Sequence, residues 1–250
     1  MGDPTLTYDR QAISVDCVIF GFDGDALKVL LIRRCKRVVD GSEKVDMKLP
    51  GSLIADNESL ESAASRVMNE LTGINNICLR QLEVFSDPQR VVDEELEWIN
   101  DYYGVHISRV VTVIFYALVR LDNRLMGYTT RKNALWIELN EVKHLALDHN
   151  NILISAIDFL MCRFQEEPMA YELLPRKFTI RMLQTLYEAV FGVELDNRNF
   201  RKKMLTQSYI VPMGEKERGV AHKPAQYYRF DRKIYEKENK CTSRLNFIGR

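Results

Sequence analysis

The sequence predicts an α+β chain in which a mixed sheet flanked by helices is followed by a smaller domain of helices and a hairpin. Three observations predict it. Stretches rich in Val, Ile and Leu recur at residues 12–20, 27–33, 77–85, 110–119 and 134–139, and turn or polar residues bound them. Amphipathic stretches with cap residues lie between and after them, at 58–73, 150–166 and 179–191. The charge also divides: residues 171–250 hold 17 Lys and Arg against 9 Asp and Glu, and residues 1–170 hold 18 against 26, within a chain of net charge zero. An acidic front and a basic back imply two tasks, with attraction of phosphate falling to the back.

The chain of 250 residues, 46% of them hydrophobic, suffices for one large or two modest cores. No run of about 18 apolar residues occurs, so no membrane span is expected. The opening MGDPTLTYDRQ lacks the basic and apolar regions of a signal peptide. The five cysteines, at 17, 35, 78, 162 and 241, include no Cys-x-x-Cys pair, which fits reduced thiols and a cytoplasmic location.

In chain order, the stretches 12–20 and 27–33 are joined by Asp23 and Gly24, a hairpin signal. A polar loop at 35–46 follows, with Arg33, Arg34, Lys36 and Arg37 clustered at its entry. It reads either as a solvated loop or as a pocket rim meeting an anionic or sugar ligand. At 51–74, Glu58 and Ser59 open a helix, Leu60, Ala64, Val67 and Leu71 share one face, and Gly73 closes it. The insertion at 86–108 is long for a strand connection and carries Trp98, Tyr102 and Tyr103. Trp98 and Tyr102 can share a helical face; they stack on a sugar ring or a partner, or they pin the insertion to the core. Trp136 centres the last strand, at 134–139. Asp148 is placed to cap the helix 150–166, whose apolar stripe is Leu153, Ile157, Leu160 and Phe164. His149 beside it is either a ligand contact or a structural hydrogen-bonding residue.

In the basic back, Thr179 caps a helix running to Phe191 with Leu183, Tyr187 and Val190 inward, and Gly192 closes it. Asp196 caps a second helix, in which Phe200 and Met204 point one way and leave Arg198, Arg201 and Lys202 free to point elsewhere. Helix, short turn, basic helix is a helix-turn-helix arrangement. A strand at 209–213, a charged turn at 214–219 and a returning strand at 226–230 form a wing with Lys216 and Arg218 at its tip and His222 and Lys223 just after. These cations suit phosphates, and arginine or Asn199 on the helix suits base edges; the competing reading is a small helical domain with a solvated basic face. The tail from 236 is polar and is expected to be loosely ordered.

The stretch GSLIADNESLESAASRVMNELTGI (51–74) resembles the Nudix box, in which Gly, five spacers, Glu and seven spacers precede Arg-Glu-apolar-x-Glu-Glu-x-Gly-apolar. Glu58, Arg66, Met68, Glu70, Gly73 and Ile74 keep that register, and Ser52 stands at the box glycine beside Gly51. The positions of the three late glutamates, which hold divalent metal in Nudix hydrolases, are Val67, Glu70 and Leu71. The resemblance implies a Nudix-type mixed sheet sandwiched by helices, with hydrolase chemistry lost: no catalytic residue, metal or cofactor is expected. The segments LLPRKFTIRMLQTLYEAVFG, LDNRNFRKKML and AHKPAQYYRF, with LALDH before the bridging helix, resemble Nudix-related transcriptional regulators that end in a winged helix-turn-helix. That likeness runs from about residue 13 to 235.

It implies an effector-sensing domain at 1–149, a linker helix at 150–167, a DNA-binding winged helix at 168–236 and a basic tail at 237–250. It further implies a homodimer on operator DNA, with no membrane role. The missing glutamates and the aromatic insertion disfavour a diphosphate-plus-metal ligand and suit a small sugar. The expectation is therefore a repressor of sugar-use genes released by L-arabinose or a related pentose. The alternatives are a regulator of NAD metabolism sensing ADP-ribose, a hydrolase with residual activity through Glu58 and Glu70, and a DNA-binding adaptor whose first domain only dimerises. Candidate effector contacts are Ser52, Glu70, Asp87, Arg90 and Trp98; candidate DNA contacts are Arg198, Asn199, Arg201, Lys202, Lys216, Arg218, His222 and Lys223.

Overall fold

A computed structural model describes residues 10–37, 43–219 and 223–245. In order the elements are β1 (Gln11–Phe22), β2 (Leu27–Arg37), β3 (Glu43–Lys48), β4 (Gly51–Leu53), α1 (Leu60–Thr72), β5 (Arg80–Phe85), α2 (Asp93–Tyr103), β6 (Arg109–Arg120), α3 (Asn123–Thr130), β7 (Ala134–Glu138), α4 (His149–Glu166), α5 (Ala170–Leu173), α6 (Ile180–Phe191), α7 (Asn197–Leu205), β8 (Ile210–Lys216), β9 (Gln226–Phe230) and α8 (Arg232–Leu245). The described residues divide into two compact units, one within 1–21 and 28–160, the other within 22–27 and 161–250.

In the first unit the strands run β3-β2-β1-β6-β5, with β4 also on β1 and β7 also on β2. The pairs β1–β4, β2–β3, β2–β7 and β5–β6 are antiparallel. β1 is buried on both faces from Ser14 onward, as a central strand covered on two sides must be. On one side α1 packs Ala63, Ala64, Val67 and Met68 against Val15, Cys17, Ile19, Leu30 and Phe115. α1 begins where Ser59 Oγ accepts from Ser62 N, and it ends at Gly73, whose φ of 75° is the left-handed turn that glycine takes without strain. α4 contributes its own stripe, with Ile152, Leu153, Ala156 and Leu160 buried.

Three expectations about this unit change. Residues 35–46 are not a loop throughout: β2 reaches Arg37 and pairs in register with β3, Arg34 opposite Asp46 and Lys36 opposite Lys44; residues 38–42 lie outside the described residues. The insertion 86–108 contains the helix α2, closed by Gly104 at φ 62°. Asp148 does not cap α4 with its side chain, because the Arg90 fork takes both of its oxygens at 2.7 Å.

The reason β2 extends so far lies in its charges. Arg34 donates to Asp46 at 2.6 and 2.8 Å and to Glu95 of α2 at 2.6 and 3.1 Å. Lys36 donates to Glu94 at 2.9 Å and to Glu95 at 3.3 Å. Both cations are about 95% buried. Burial works against the Arg34 charge, but its carboxylate partners hold its pKa above the ordinary value. Residues that read as solvent-facing are therefore the clamp that seats α2. The aromatics of α2 add to it: Trp98 stacks on Tyr102 at 5.1 Å and lies 4.6 Å from the Arg34 guanidinium.

In the second unit α6 and α7 are capped by Thr179 and Asp196 and joined through Gly192 in a left-handed conformation. Gln184 donates to Leu195 O at 2.8 Å, and Glu188 accepts from Leu195 N at 3.1 Å, which pins that turn. Phe200 and Met204 are buried, with Tyr187 edge-on to both Phe164 and Phe200. β8 and β9 pair antiparallel, and Phe178 bridges to Tyr228 as a third strand position. β8 runs on to Lys216, so the expected turn at 214–219 begins later. The tail expected to be loose is helical as far as Leu245. Asp231 accepts from Ile234 N at its start, Arg232 pairs with Glu236 one turn on, and Tyr235 meets Tyr209 edge-on.

Removing Arg34 leaves Asp46 without its arginine and Glu95 with Lys36 alone, both partly buried. Arg34→Ala is expected to lower the unfolding free energy by about 3–5 kcal/mol. Glu94→Ala, at a side chain 69% exposed, is expected to cost less than about 1 kcal/mol. Urea unfolding of the two variants checks the contrast.

Candidate effector pocket and nucleic-acid interface

Where α2 closes over the sheet, a cavity of about 50 Å³ remains, lined by β1, β4, β6 and α2 together with the ends of β3 and α4. Ser14 and Asp16 both come from β1. They stand two residues apart and therefore face the same way. Ser14 Oγ bonds Thr112 Oγ1 of β6 at 2.7 Å. Asp16 is opposite Gly51 in the β1–β4 register, and a Cβ on Gly51 would come within 1.5 Å of Asp16 Oδ1. Only glycine lets β4 pass the carboxylate. Lys48 Nζ donates to Gly51 O at 2.8 Å, and Tyr103 of α2 donates to Ser52 Oγ at 3.2 Å.

His149 is structural. Its Nδ1 accepts from Leu49 N at 2.9 Å, which leaves the proton on Nε2, 3.6 Å from Asp16 Oδ2 and beyond hydrogen-bond length. Burial, then the charges of Lys48, Arg90 and Arg34, hold its pKa well below the ordinary histidine value, so the ring is neutral. Leu147, just before it, has φ 57°, a conformation costly for a leucine and typical of backbone held at a site.

Burial pushes the Asp16 carboxyl up to about 6; Lys48 and Arg90 pull the other way, and Asp148 adds to the rise. Burial likewise lowers the pKa of Lys48. Among the described residues no hydrogen bond to the Asp16 carboxylate is formed, and His149 Nε2 faces it at 3.6 Å.

The structure brings Ser52, Arg90 and Trp98 together at this cavity. Glu70 and Asp87 are not part of its lining. Glu70 is exposed on α1 and pairs with Arg66 at 3.4 Å; Asp87 accepts from Gln89 N in a tight turn. Asp16, Ser14, Lys48, Tyr103 and Thr112 were not foreseen. The available signal was Ser14 and Asp16 at alternate positions within an otherwise apolar strand.

The box positions do not fit a metal ion. Val67 is fully buried in the core and Leu71 packs against it. Glu58 offers both oxygens to Arg66, at 2.7 and 2.8 Å. Among the described residues no three His, Cys, Asp or Glu side chains are grouped to hold one.

On the second unit Arg198, Asn199, Arg201 and Lys202 are exposed on α7, and Lys216, Arg218 and Lys223 on the wing. None of these cations has an ion-pair partner among the described residues. His222 lies outside them. Residues 170–230 match the protein family described as "NrtR DNA-binding winged helix domain". They form a winged helix. The winged helix and the sheet together recur in other chains. The sequence is 27% identical over 233 residues to the "ADPR responsive transcriptional repressor NtrR" of Acinetobacter baylyi, covering 92% of this chain and 86% of that protein. The crystal structure of Shewanella oneidensis NrtR complexed with a 27mer DNA superposes with a TM-score of 0.63 at 24% identity, over 88% of this chain and 93% of that one. A MutT/nudix family protein from Enterococcus faecalis gives 0.63 at 24%, over 92% and 90%. The fold is a Nudix-like α+β domain followed by a winged helix. No helix among the described residues is long and apolar enough to cross a membrane.

A carboxyl raised in the fold contributes stability that is fully present below its unfolded pKa of about 3.8 and lost as pH rises through about 6. Asp16→Asn removes that loss. The variant is expected to gain about 2–3 kcal/mol relative to the parent between pH 4 and pH 8. Denaturant unfolding at the two pH values measures it.

Proposed function

We propose that this chain is an effector-responsive transcriptional repressor that binds operator DNA through the winged helix, and that its Nudix-like domain senses ADP-ribose rather than hydrolysing it. The observation that carries the reading is the match of residues 170–230 to a DNA-binding winged helix, together with cations on α7 and the wing that have no ion-pair partner among the described residues. The near-full-length likeness to a repressor responsive to ADPR supports the choice of effector over the pentose expected from sequence. The aliphatic Val67 and the Arg66-bound Glu58 support a sensor over a hydrolase. In this reading two chains dock two α7 helices and two wings on a two-fold operator, and the effector shifts DNA affinity by binding the two states unequally.

One observation favours the second reading, a free pentose. The cavity of about 50 Å³ is far below the few hundred Å³ typical of small-molecule sites, and it offers hydroxyls and a carboxylate rather than unpaired cations. A ligand the size of ADP-ribose would need α2 to move.

The test is binding of the full chain to DNA from its own promoter region at fixed salt, alone, with ADP-ribose and with L-arabinose. Salt-sensitive binding released by ADP-ribose is expected. Release by arabinose alone would transfer the effector role to the pentose, and absence of specific binding would sink the regulator reading. The double substitution of Arg201 and Lys202 by Ala is expected to weaken binding at least tenfold and to flatten the salt slope by about 2, with the melting temperature unchanged.

A further inference from the structure

The cavity under α2 holds one carboxylate that receives no hydrogen bond among the described residues. Asp16 is 94% buried on the central strand and lines the cavity. His149 Nε2 faces it at 3.6 Å, beyond hydrogen-bond length. A buried carboxylate short of donors carries a desolvation cost that a ligand's donors would relieve. The charged and hydroxyl side chains around it are engaged. Arg90 is forked onto Asp148, Lys48 donates to a carbonyl, Ser14 and Thr112 bond each other, and Tyr103 donates to Ser52.

We propose that Asp16 is the specificity-determining residue of the effector pocket and accepts hydrogen bonds from vicinal hydroxyls of a sugar ring. The proposal rests on the effector-sensing reading and names the part of the effector that this pocket reads. The chemistry selects hydroxyls over the other donors. A phosphate would face the carboxylate and be repelled. An ammonium would face Lys48 and Arg90, which flank Asp16. A neutral diol can donate to Asp16, while Ser52 and Tyr103 on the cavity wall, whose own protons go to Leu53 O and to Ser52, keep oxygen lone pairs for a further ligand hydroxyl. Trp98 adds apolar area to the same wall. The ribose of a nucleotide sugar and a free pentose share this chemistry.

The experiment is calorimetric titration of the full chain and of Asp16→Asn at pH 8 with ADP-ribose, L-arabinose and inorganic pyrophosphate. The expected result is that ADP-ribose or L-arabinose binds the parent and binds Asp16→Asn on the order of ten- to a hundredfold more weakly; the arm that binds identifies the source of the diol. A second measurement does not depend on the variant. Parent affinity is expected to fall several-fold at pH 5, where Asp16, faced by Lys48 from β3, Arg90 from the loop before α2, and Asp148 and His149 at the head of α4, takes up a proton. Unchanged affinity in Asp16→Asn would overturn the proposal and leave the effector reading standing, and so would pyrophosphate alone matching the sugar ligand. Failure of every probe to bind the parent would overturn both.

Discussion

Arg34 holds more of this molecule in place than its position on a strand would suggest. Its guanidinium meets two carboxylates, Asp46 on the neighbouring strand and Glu95 on α2, with Lys36 alongside to balance Glu94. Buried charge of this kind adds little stability compared with an apolar alternative, because desolvation offsets most of the attraction. What it gives is position. α2 buries few apolar side chains of its own; Ile99 alone is fully buried. Without the ion pairs there would be little to fix its rotation or its depth over β1 and β4. The cavity walls supplied by Trp98 and Tyr103 follow from that placement.

The second constraint is the passage of β4 across Asp16. Gly51 allows the two backbones to pair beside a carboxylate, and Lys48 fastens the same glycine from the other side. The glycine beside the box position that Ser52 fills and the floor of the cavity are therefore one local arrangement. Beside it His149, locked as a neutral acceptor, satisfies the Leu49 N–H that burial would otherwise leave bare.

Local signals made much of the fold legible. Ser59, Thr179 and Asp196 cap their helices as their residue types announce, and Gly73 and Gly192 end them. Where partners came from afar, reading by composition failed. Arg34 and Lys36 looked like loop residues because Glu94 and Glu95, about sixty positions on, are invisible to a local window. Asp148 looked like a cap because Arg90 claims it across the fold. The pocket was legible in part: Ser52, Arg90 and Trp98 converge there, whereas Glu70 and Asp87 were named for belonging to a motif or a nearby loop and face elsewhere. Asp16 was hidden in a run of apolar residues that reads simply as strand.

Val67 gives the history of the helix a direction. Where the box pattern would set a carboxylate beside metal, this chain has packed a branched aliphatic side chain into the centre of its core. Putting a glutamate back would not reopen a metal site one ligand at a time; the first step would bury an uncompensated charge, with Leu71 still apolar beside it. The substitution works as a ratchet. A helix packed this way leaves the pocket to chemistry other than metal, because a carboxylate at position 67 would stand in the apolar core.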